Sequence, residues 1–404
     1  MLKENKLFTL LPRELKAGIK EIKLEKELIT NYLHKFDYYV SDIQQINTKG
    51  ATDCLYFIIT LQNDQKIFFK AGEKVDQEVK NILNLTKKGV NVISPALRGS
   101  QENEKILITE LLEHPNFGTE AVQQLHSGEI NIVQFLSFQN KTFEALSQFY
   151  NIIQVQNDQK NYKSKMFVIR SQERLNSLLT EQHNLSIAGK FIDQTTDIRL
   201  NEILHTPIKY FKDNQIVDLP NIVEMHQHFK GGMERLSEVV LKVIHGDFHA
   251  PNIALDSNNA IRIIDISDVR YQEDPNWDLG KWLNYLKRFY RAAERRNMKN
   301  ADSSIYFSID KERINLKDFY QSKLNSGDLK KINDDAVGKF ASIIDCDLNL
   351  VNLRSMAAEF VVNLSTLHRH LKGYPQTIKN VLSCLCESYL IFQKTLNASH
   401  CQTI

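Results

Sequence analysis

Strand-like segments are concentrated in the first third of the chain, and this uneven distribution is the feature that most constrains the fold. Val40–Ile46, Cys54–Leu61 and Lys66–Lys70 are short runs containing Ile, Phe or Tyr, separated by turn-prone residues. This pattern is typical of antiparallel strands joined by hairpins. Val75–Lys88 has apolar residues at helical spacing, and Ile106–Leu112 is again strand-like. Since strands and helices do not alternate regularly, the sequence predicts an α+β fold and not a doubly wound parallel sheet.

The chain beyond Pro115 is mainly helical in its pattern. Brief strand signals return only between residues 241 and 264, and apolar stripes over 350–371 and 378–396 predict two long helices near the C-terminus. The predicted organisation is an N-terminal helical extension over residues 1–36, a small N-terminal β lobe with one main helix over 37–112, and a large helical C-terminal lobe over 113–404.

Composition narrows the class of protein. The 404 residues include 42% hydrophobic and 25% charged residues, as is ordinary for soluble globular proteins, and the formal charge is only +2. So small an excess gives no reason to expect a nucleic-acid or membrane partner. The cysteines number five, which does not suggest a disulfide framework. The N-terminus lacks the apolar core of a signal peptide, so we expect a cytoplasmic protein with access to nucleoside triphosphates.

The segment His245–Asn252 and the later residue Asp265 carry the chemical signal. An apolar strand leads into a turn at Asp247, Asn252 follows at the entry to a predicted hairpin, and Asp265 follows its second strand. Two oxygen-bearing side chains at neighbouring strand ends suit Mg²⁺, which prefers a few oxygen ligands together with phosphate oxygens and water. Asp247 then remains available as a base or orienting group for an attacking hydroxyl.

The N-terminal region offers a cation for phosphate groups. Lys70 ends an apolar strand, and Glu78 lies on the following predicted helix, where it can pair with the ammonium group. The turn Thr48–Asp53 can place backbone N–H groups over phosphates. Phosphoryl transfer needs mainly positioning and charge neutralisation, which these groups can supply. Lys70 and Glu78 alone could equally be a surface ion pair of little energetic value.

Taken in their order along the chain, these motifs resemble those of the aminoglycoside phosphotransferase, or kinase-like phosphotransferase, superfamily. His245–Asn252 followed by Asp265 is similar to its catalytic and metal-binding motifs, and Asp274–Leu279 resembles its next motif, with Asp278 as the expected N-cap of a helix. The resemblance covers residues 40–286 and implies a bilobal protein-kinase-like fold. Ser267 stands where the family often has Gly, and Glu273 replaces another usual Gly.

The resemblance also implies roles for particular residues. Asp247 would be the catalytic base, Asn252 and Asp265 would bind Mg²⁺, and Lys70, supported by Glu78, would contact the phosphates of ATP. The remaining implied site residues are Gly50 and Thr52 in the phosphate turn, Glu110 and Leu112 beside the adenine, and His245, His249 and Asp278 as supporting residues. For His249, a hydrogen bond within the catalytic loop is favoured over a direct role.

The function that follows is transfer of the γ-phosphate of ATP to a hydroxyl of a small molecule such as a sugar, an aminoglycoside-like compound or another metabolite. Two alternatives stay open. The long helical C-terminal region could instead hold a protein substrate, as in an atypical protein kinase, for example a bacterial effector. Ser267 and Glu273 also leave room for a nucleotide-binding pseudokinase that acts as a scaffold.

Overall fold

The computed structural model describes most of the chain, in the residue ranges 19–46, 54–72, 75–101, 105–152, 165–181, 186–187, 198–212, 214–237, 239–297, 305–309, 312–318, 326–373 and 378–401. The chain forms two compact units. The first unit comprises Met1–Thr119, His245–Asp247 and Pro251–Val269. The second unit comprises Glu120–Ile244, Phe248–Ala250 and Arg270–Ile404.

The first unit is built on a four-stranded antiparallel sheet in the order β1-β2-β3-β4. Its elements are α1 (Ile19–His34), β1 (Val40–Gln45), β2 (Leu55–Leu61), β3 (Lys66–Ala71), α2 (Val75–Lys87) and β4 (Ile106–Glu110). The strands and the helix predicted from the sequence for this region are therefore confirmed.

The sheet of the first unit has two different faces because side chains alternate along each strand. Phe57 of β2 pairs with Phe69 of β3, and both are buried in a core with Tyr32 and Leu33 of α1. The next pair along, Tyr56 and Lys70, projects to the other face. The strand register therefore fixes the face on which Lys70 stands.

A hairpin from the middle of the chain completes the first unit. Its strands are β10 (Ile253–Leu255) and β11 (Ile261–Ile263), joined by the predicted turn at residues 256–259. The Asp256 carboxylate accepts the backbone N–H groups of Asn258 and Ala260, at 2.8 and 2.9 Å, and this closes the turn. The Ile263 N–H donates to the Val92 carbonyl at 2.7 Å, which connects the hairpin to the segment after α2.

The second unit is mainly helical, as predicted. Its helices are α3 (Phe117–Ser127, which begins at the end of the first unit), α4 (Ile132–Tyr150), α5 (Lys165–Glu181), α6 (Leu200–His205), α7 (Ile222–Met233), α8 (Asn276–Asn297), α9 (Ser326–Ile344), α10 (Leu348–Gly373) and α11 (Ile378–Cys401). Helix α10 packs against α8 and α11, and its buried apolar side chains include Val351, Phe360 and Leu364. The two C-terminal stripes predicted from the sequence are therefore helices of this core.

Most of the β structure of the second unit was not predicted from the sequence. A four-stranded mixed sheet runs in the order β13-β14-β7-β8, and β14 and β7 are parallel. Its strands are β7 (Ile208–Lys212), β8 (Gln215–Leu219), β13 (Ile305–Ile309) and β14 (Ile314–Asp318). Two shorter pairs are β5 (Ser186–Ile187) with β6 (Ile198–Arg199), and β9 (Lys242–Ile244) with β12 (Arg270–Glu273).

Helix α8 begins at Asn276, three residues before the first helical position, Leu279, that an N-cap at Asp278 implies. Asp278 lies in its first turn, whereas the Asp274 carboxylate accepts the backbone N–H of Asn276 at 2.9 Å. The N-cap assigned to Asp278 is therefore wrong, because the Asp274 side chain already satisfies a free N–H group at this helix start. Within the described residues, none of the helices is both long and apolar enough to cross a membrane.

Candidate active site

Backbone contacts shape the turn that carries Asp247. Gly246 has φ +85°, a conformation that side chains rarely tolerate, and a Cβ atom there would collide with the Asp268 carbonyl. The His245 Nδ1 atom accepts the Asp247 N–H at 3.2 Å, so its Nε2 atom carries the proton and donates to the Ile264 carbonyl at 3.0 Å. The His245 side chain therefore supports the turn, because it links the Asp247 backbone to Ile264, the residue before Asp265.

Asn252 and Asp265 are brought together by the hairpin. The Asn252 amide nitrogen donates to the Asp247 carbonyl at 2.9 Å, and the Ile264 N–H donates to the Asn252 carbonyl at 2.9 Å. Because the Asn252 nitrogen is committed to this bond, its Oδ1 atom is the end that can act as a ligand. Asp265 itself adopts the left-handed conformation, with φ 56° and ψ 56°.

Lys70 connects this hairpin with helix α2. Its Nζ atom lies 2.6 Å from a carboxylate oxygen of Glu78 and 3.6 Å from a carboxylate oxygen of Asp265. The Lys70 and Glu78 side chains are 10% and 6% exposed, so this pair is not a surface ion pair. Burial alone would lower the pKa of Lys70, but the carboxylates of Glu78 and Asp265 outweigh it and raise that pKa. Lys70 is therefore a fixed cation.

Asp265 has an exposed carboxylate although its neighbours are buried. Its side chain is 44% exposed, and the Ser267 hydroxyl donates to one of its oxygens at 3.2 Å. The sequence did not reveal this contact, because the hydroxyl reaches Asp265 only through the turn Ile266–Asp268. The Ser267 hydroxyl adds a hydrogen-bond donor beside the Asp265 carboxylate.

Asn81 of α2 contacts the same turn and was not predicted from the sequence. Its amide nitrogen donates to the Ile266 carbonyl at 2.7 Å, and a longer contact of 3.4 Å reaches the Ser267 carbonyl. An Asn on a buried helix face carries no pattern that distinguishes it in the sequence, since only the folded chain places it beside residues about 185 positions away.

The supporting residues predicted within the second unit have packing roles there. Phe248 is fully buried and stacks on Trp282 with ring centroids 5.5 Å apart, and His249 stacks on Tyr285 at the same distance. The buried Asp278 carboxylate accepts the Tyr150 hydroxyl at 3.1 Å. The aromatic side chains thus hold the residues that follow Asp247 in the sequence.

Not every predicted binding residue can be placed. Gly50 and Thr52 of the expected phosphate turn lie outside the described residues. Glu110 is exposed and ends β4, and Leu112 is half-buried two residues further on. The Leu111 N–H donates to the Lys66 carbonyl at 3.4 Å, so this segment continues beside β3.

The donor set fits a small divalent cation that also binds phosphate. In the part of the chain that the structure describes, no group of three or more His, Cys, Asp and Glu side chains could hold a metal on its own. The free Oδ1 of Asn252 and the exposed carboxylate of Asp265 are hard oxygen ligands. Mg²⁺ is commonly bound by one or two carboxylates with substrate phosphates and water, so these residues fit it.

Comparison with known proteins shows the fold. An ethanolamine kinase from Plasmodium vivax superposes with a TM-score of 0.55 and 12% identity, over 96% of this chain and 95% of the kinase. A choline kinase from Streptococcus pneumoniae gives 0.47 at 12% identity, over 94% and 100%. A spectinomycin phosphotransferase in complex with ADP and spectinomycin gives 0.48 at 11% identity, over 91% and 98%.

Comparisons of sequence alone find no match for this chain. No protein-family model and no curated protein sequence matches the chain. The Plasmodium structure nevertheless corresponds along almost its whole length. The chain therefore has the α+β, kinase-like fold that its motifs predicted.

Proposed function

We propose that the protein is an ATP-dependent phosphotransferase that moves the γ-phosphate to a hydroxyl of a small molecule. The observation that carries this proposal is the group formed by Lys70, Glu78 and Asp265, in which a buried ion pair faces an exposed carboxylate. Asp247 and Asn252 are connected to the same group through the hairpin. The fold shared with a kinase of a small amino alcohol supports the same class of acceptor.

Each residue has a distinct part in this reaction. The Lys70 ammonium binds phosphate oxygens of the nucleotide, and Glu78 holds it in place. Asp247 accepts the proton of the acceptor hydroxyl while the hydroxyl oxygen forms its bond to the γ-phosphorus. The bond from the γ-phosphorus to the bridging oxygen breaks, and ADP leaves with that electron pair.

Asn252 and Asp265 would hold Mg²⁺. When bound, this ion neutralises negative charge on the phosphate groups. The chain contributes the orientation of the ligands: the Asp247 carbonyl fixes the amide of Asn252, and Ser267 and Lys70 fix the carboxylate of Asp265. Glu110 and Leu112 would border the adenine, and Gly50 and Thr52 would cover the phosphates. A cytoplasmic location, where ATP is abundant, completes the proposal.

The acceptor can be found with a panel of amino alcohols, sugars, aminoglycosides and other antibiotics assayed for Mg-ATP-dependent phosphorylation. We expect one chemical class to be phosphorylated and Asp247→Asn to lower kcat by about 10²- to 10⁴-fold, the usual contribution of a general base. Binding of ATP should survive this change, because Asp247 is not expected to contact the nucleotide strongly.

The alternative functions give different results in the same assay. Phosphate incorporation into a protein and into no small molecule would identify a protein kinase. ATP binding without transfer to any acceptor would identify a pseudokinase. Full activity of Asp247→Asn would remove Asp247 as the base.

A further inference from the structure

Helix α2 carries two buried polar residues three positions apart, and both face the candidate site. Glu78 pairs with Lys70, and Asn81 reaches the turn that follows Asp265. Residues three apart in a helix lie on the same face. One helix face therefore contacts both the phosphate-binding lysine and the metal-binding turn.

Hydrogen bonds at both ends of its side-chain amide hold Asn81 in place for this contact. The residue is 1% exposed. Its Nδ2 atom donates to the Ile266 carbonyl at 2.7 Å, and its Oδ1 atom accepts the Nε2–H of Gln77 at 2.9 Å. Gln77 thus sets which end of the amide faces the turn, because an amide nitrogen can only donate and an amide oxygen can only accept.

The turn that Asn81 holds needs such support. Asp265 is in the left-handed conformation, which is uncommon for residues other than Gly and costs conformational energy. The next residues, Ile266–Asp268, form a single 3₁₀ turn. The Ile266 carbonyl lies one residue from Asp265, so a bond that holds it restricts the backbone on which the Asp265 carboxylate is carried.

We propose that Asn81 is a positioning residue that couples helix α2 to the metal-binding turn, so that the Lys70–Glu78 pair and Asp265 adopt their active arrangement together. Asn81 acts through the Ile266 carbonyl and does not touch the metal. The inference rests on the proposed function, since it assigns Asn81 a role in the same site.

The test compares metal-dependent and metal-free nucleotide binding. A fluorescent ATP analogue is titrated with and without Mg²⁺ against wild type, Asn81→Leu and Asn81→Asp. Leu removes the donor and keeps the volume, and Asp removes the donor and keeps the shape. Asn84→Leu, the matched change one turn further along α2, is the control.

Loss of a residue that orients a metal ligand typically weakens metal binding by about 10- to 100-fold. We expect the Mg²⁺ concentration for half-maximal binding to rise by that factor in both Asn81 variants, with metal-free affinity unchanged and full binding restored at high Mg²⁺. Hydrogen exchange without nucleotide or metal should become faster in residues 264–269. Asn84→Leu should match wild type in both measurements.

The outcomes separate the two proposals. If wild type binds the analogue with Mg²⁺ dependence and a folded Asn81 variant has the same Mg²⁺ requirement, Asn81 is not a positioning residue. Equal weakening of metal-free and metal-dependent binding would also overturn the inference, because it indicates general damage to the fold. If wild type itself shows no Mg²⁺-dependent binding, the proposed function fails.

Discussion

Two lysine–glutamate pairs, one in each unit, look alike but differ in their surroundings. Lys70 and Glu78 in the first unit are 2.6 Å apart, and Lys287 and Glu359 in the second unit are 2.8 Å apart. Each lysine also has a second carboxylate nearby, and in both cases the carboxylates outweigh the effect of burial and raise the pKa of the lysine. The difference is whether that second carboxylate has a cation of its own to neutralise its charge.

In the second unit the second carboxylate belongs to Glu387, which has its own cation, Lys212, at 2.6 Å. In the first unit it belongs to Asp265, which shares Lys70 with Glu78 and remains 44% exposed. Among the residues that the structure describes, the first cluster thus has more negative than positive charge, and the excess is accessible. A buried ion pair becomes evidence of a binding site when an exposed, uncompensated charge adjoins it.

The comparison predicts different consequences when each lysine is replaced. Lys70→Met should lower kcat for phosphate transfer by about 10²- to 10³-fold, since it removes a cation that neutralises charge in the transition state. Lys287→Met should leave kcat of the folded protein unchanged. Steady-state kinetics of both purified variants, with circular dichroism to establish folding, measures this difference.

Lys287→Met should instead reduce stability by about 3 kcal/mol, the lower end for a broken buried pair, because its side chain retains some contact with water. Replacing Glu359 as well, in Lys287→Met/Glu359→Met, should recover most of that loss because no unpaired charge remains. A large loss of activity in folded Lys287→Met would contradict the distinction between a pair that acts in catalysis and a pair that only stabilises the fold.

Acid should destabilise the second unit because its buried His226 side chain is hydrogen-bonded to a neutral hydroxyl. His226 is 2% exposed, and its Nε2 atom lies 3.0 Å from the Ser171 hydroxyl. Burial, together with the nearby Lys230, lowers the pKa of His226 from 6.5 to about 4. Between these values the unfolded chain binds a proton and the folded chain does not, so stability falls as pH decreases from about 6.5 to about 4, by about 3 kcal/mol in total.

Both tryptophans, Trp277 and Trp282, lie in the second unit, so urea unfolding followed by their fluorescence reports on this region. We expect the unfolding midpoint to decrease between pH 7 and pH 5 and to decrease less in His226→Gln. An equal decrease in the variant would assign the acid sensitivity to other groups.

The smallest expected effect is that of replacing Ser267, whose hydroxyl donates a hydrogen bond to the Asp265 carboxylate. Ser267→Ala removes the hydrogen bond to Asp265, which is partly exposed, so the loss should be about 1 kcal/mol, or roughly fivefold in Mg²⁺ affinity. The Mg²⁺ dependence of nucleotide binding measures it. A stronger effect than that of Asn81→Leu would place the control of the turn at Ser267.

The sequence predicted those parts of the fold and site that depend on local pattern. Short runs containing Ile, Phe or Tyr, separated by turn-prone residues, identified the strands of the first unit, and the order of Asp247, Asn252 and the hairpin predicted Asp265 at a strand end near Asn252. The burial of Lys70 and Glu78 could not be predicted, because it depends on the packing of α2 and the turn after Asp265.

The sheet containing β7, β8, β13 and β14 was missed for two reasons. Its central pair joins Ile314–Asp318 in parallel with Ile208–Lys212, about one hundred residues earlier, and such a pairing leaves no hairpin signal. The outer pairs, β7 with β8 and β13 with β14, are antiparallel hairpins of five-residue strands, and these short local patterns were not recognised. Asn81 escaped notice because its contact with Ile266 joins residues far apart in the sequence. Ser267 was noticed only as a departure from the usual Gly, and its bond to Asp265 depends on the conformation of the turn.

The most direct test of the central claim measures how Mg²⁺ changes the affinity for ATP in wild type and in Asp265→Asn. If Asn252 and Asp265 hold the ion beside the phosphates, Mg²⁺ should strengthen ATP binding by at least about tenfold in wild type, and Asp265→Asn should lose most of that gain. The same Mg²⁺ gain in folded Asp265→Asn would contradict the account.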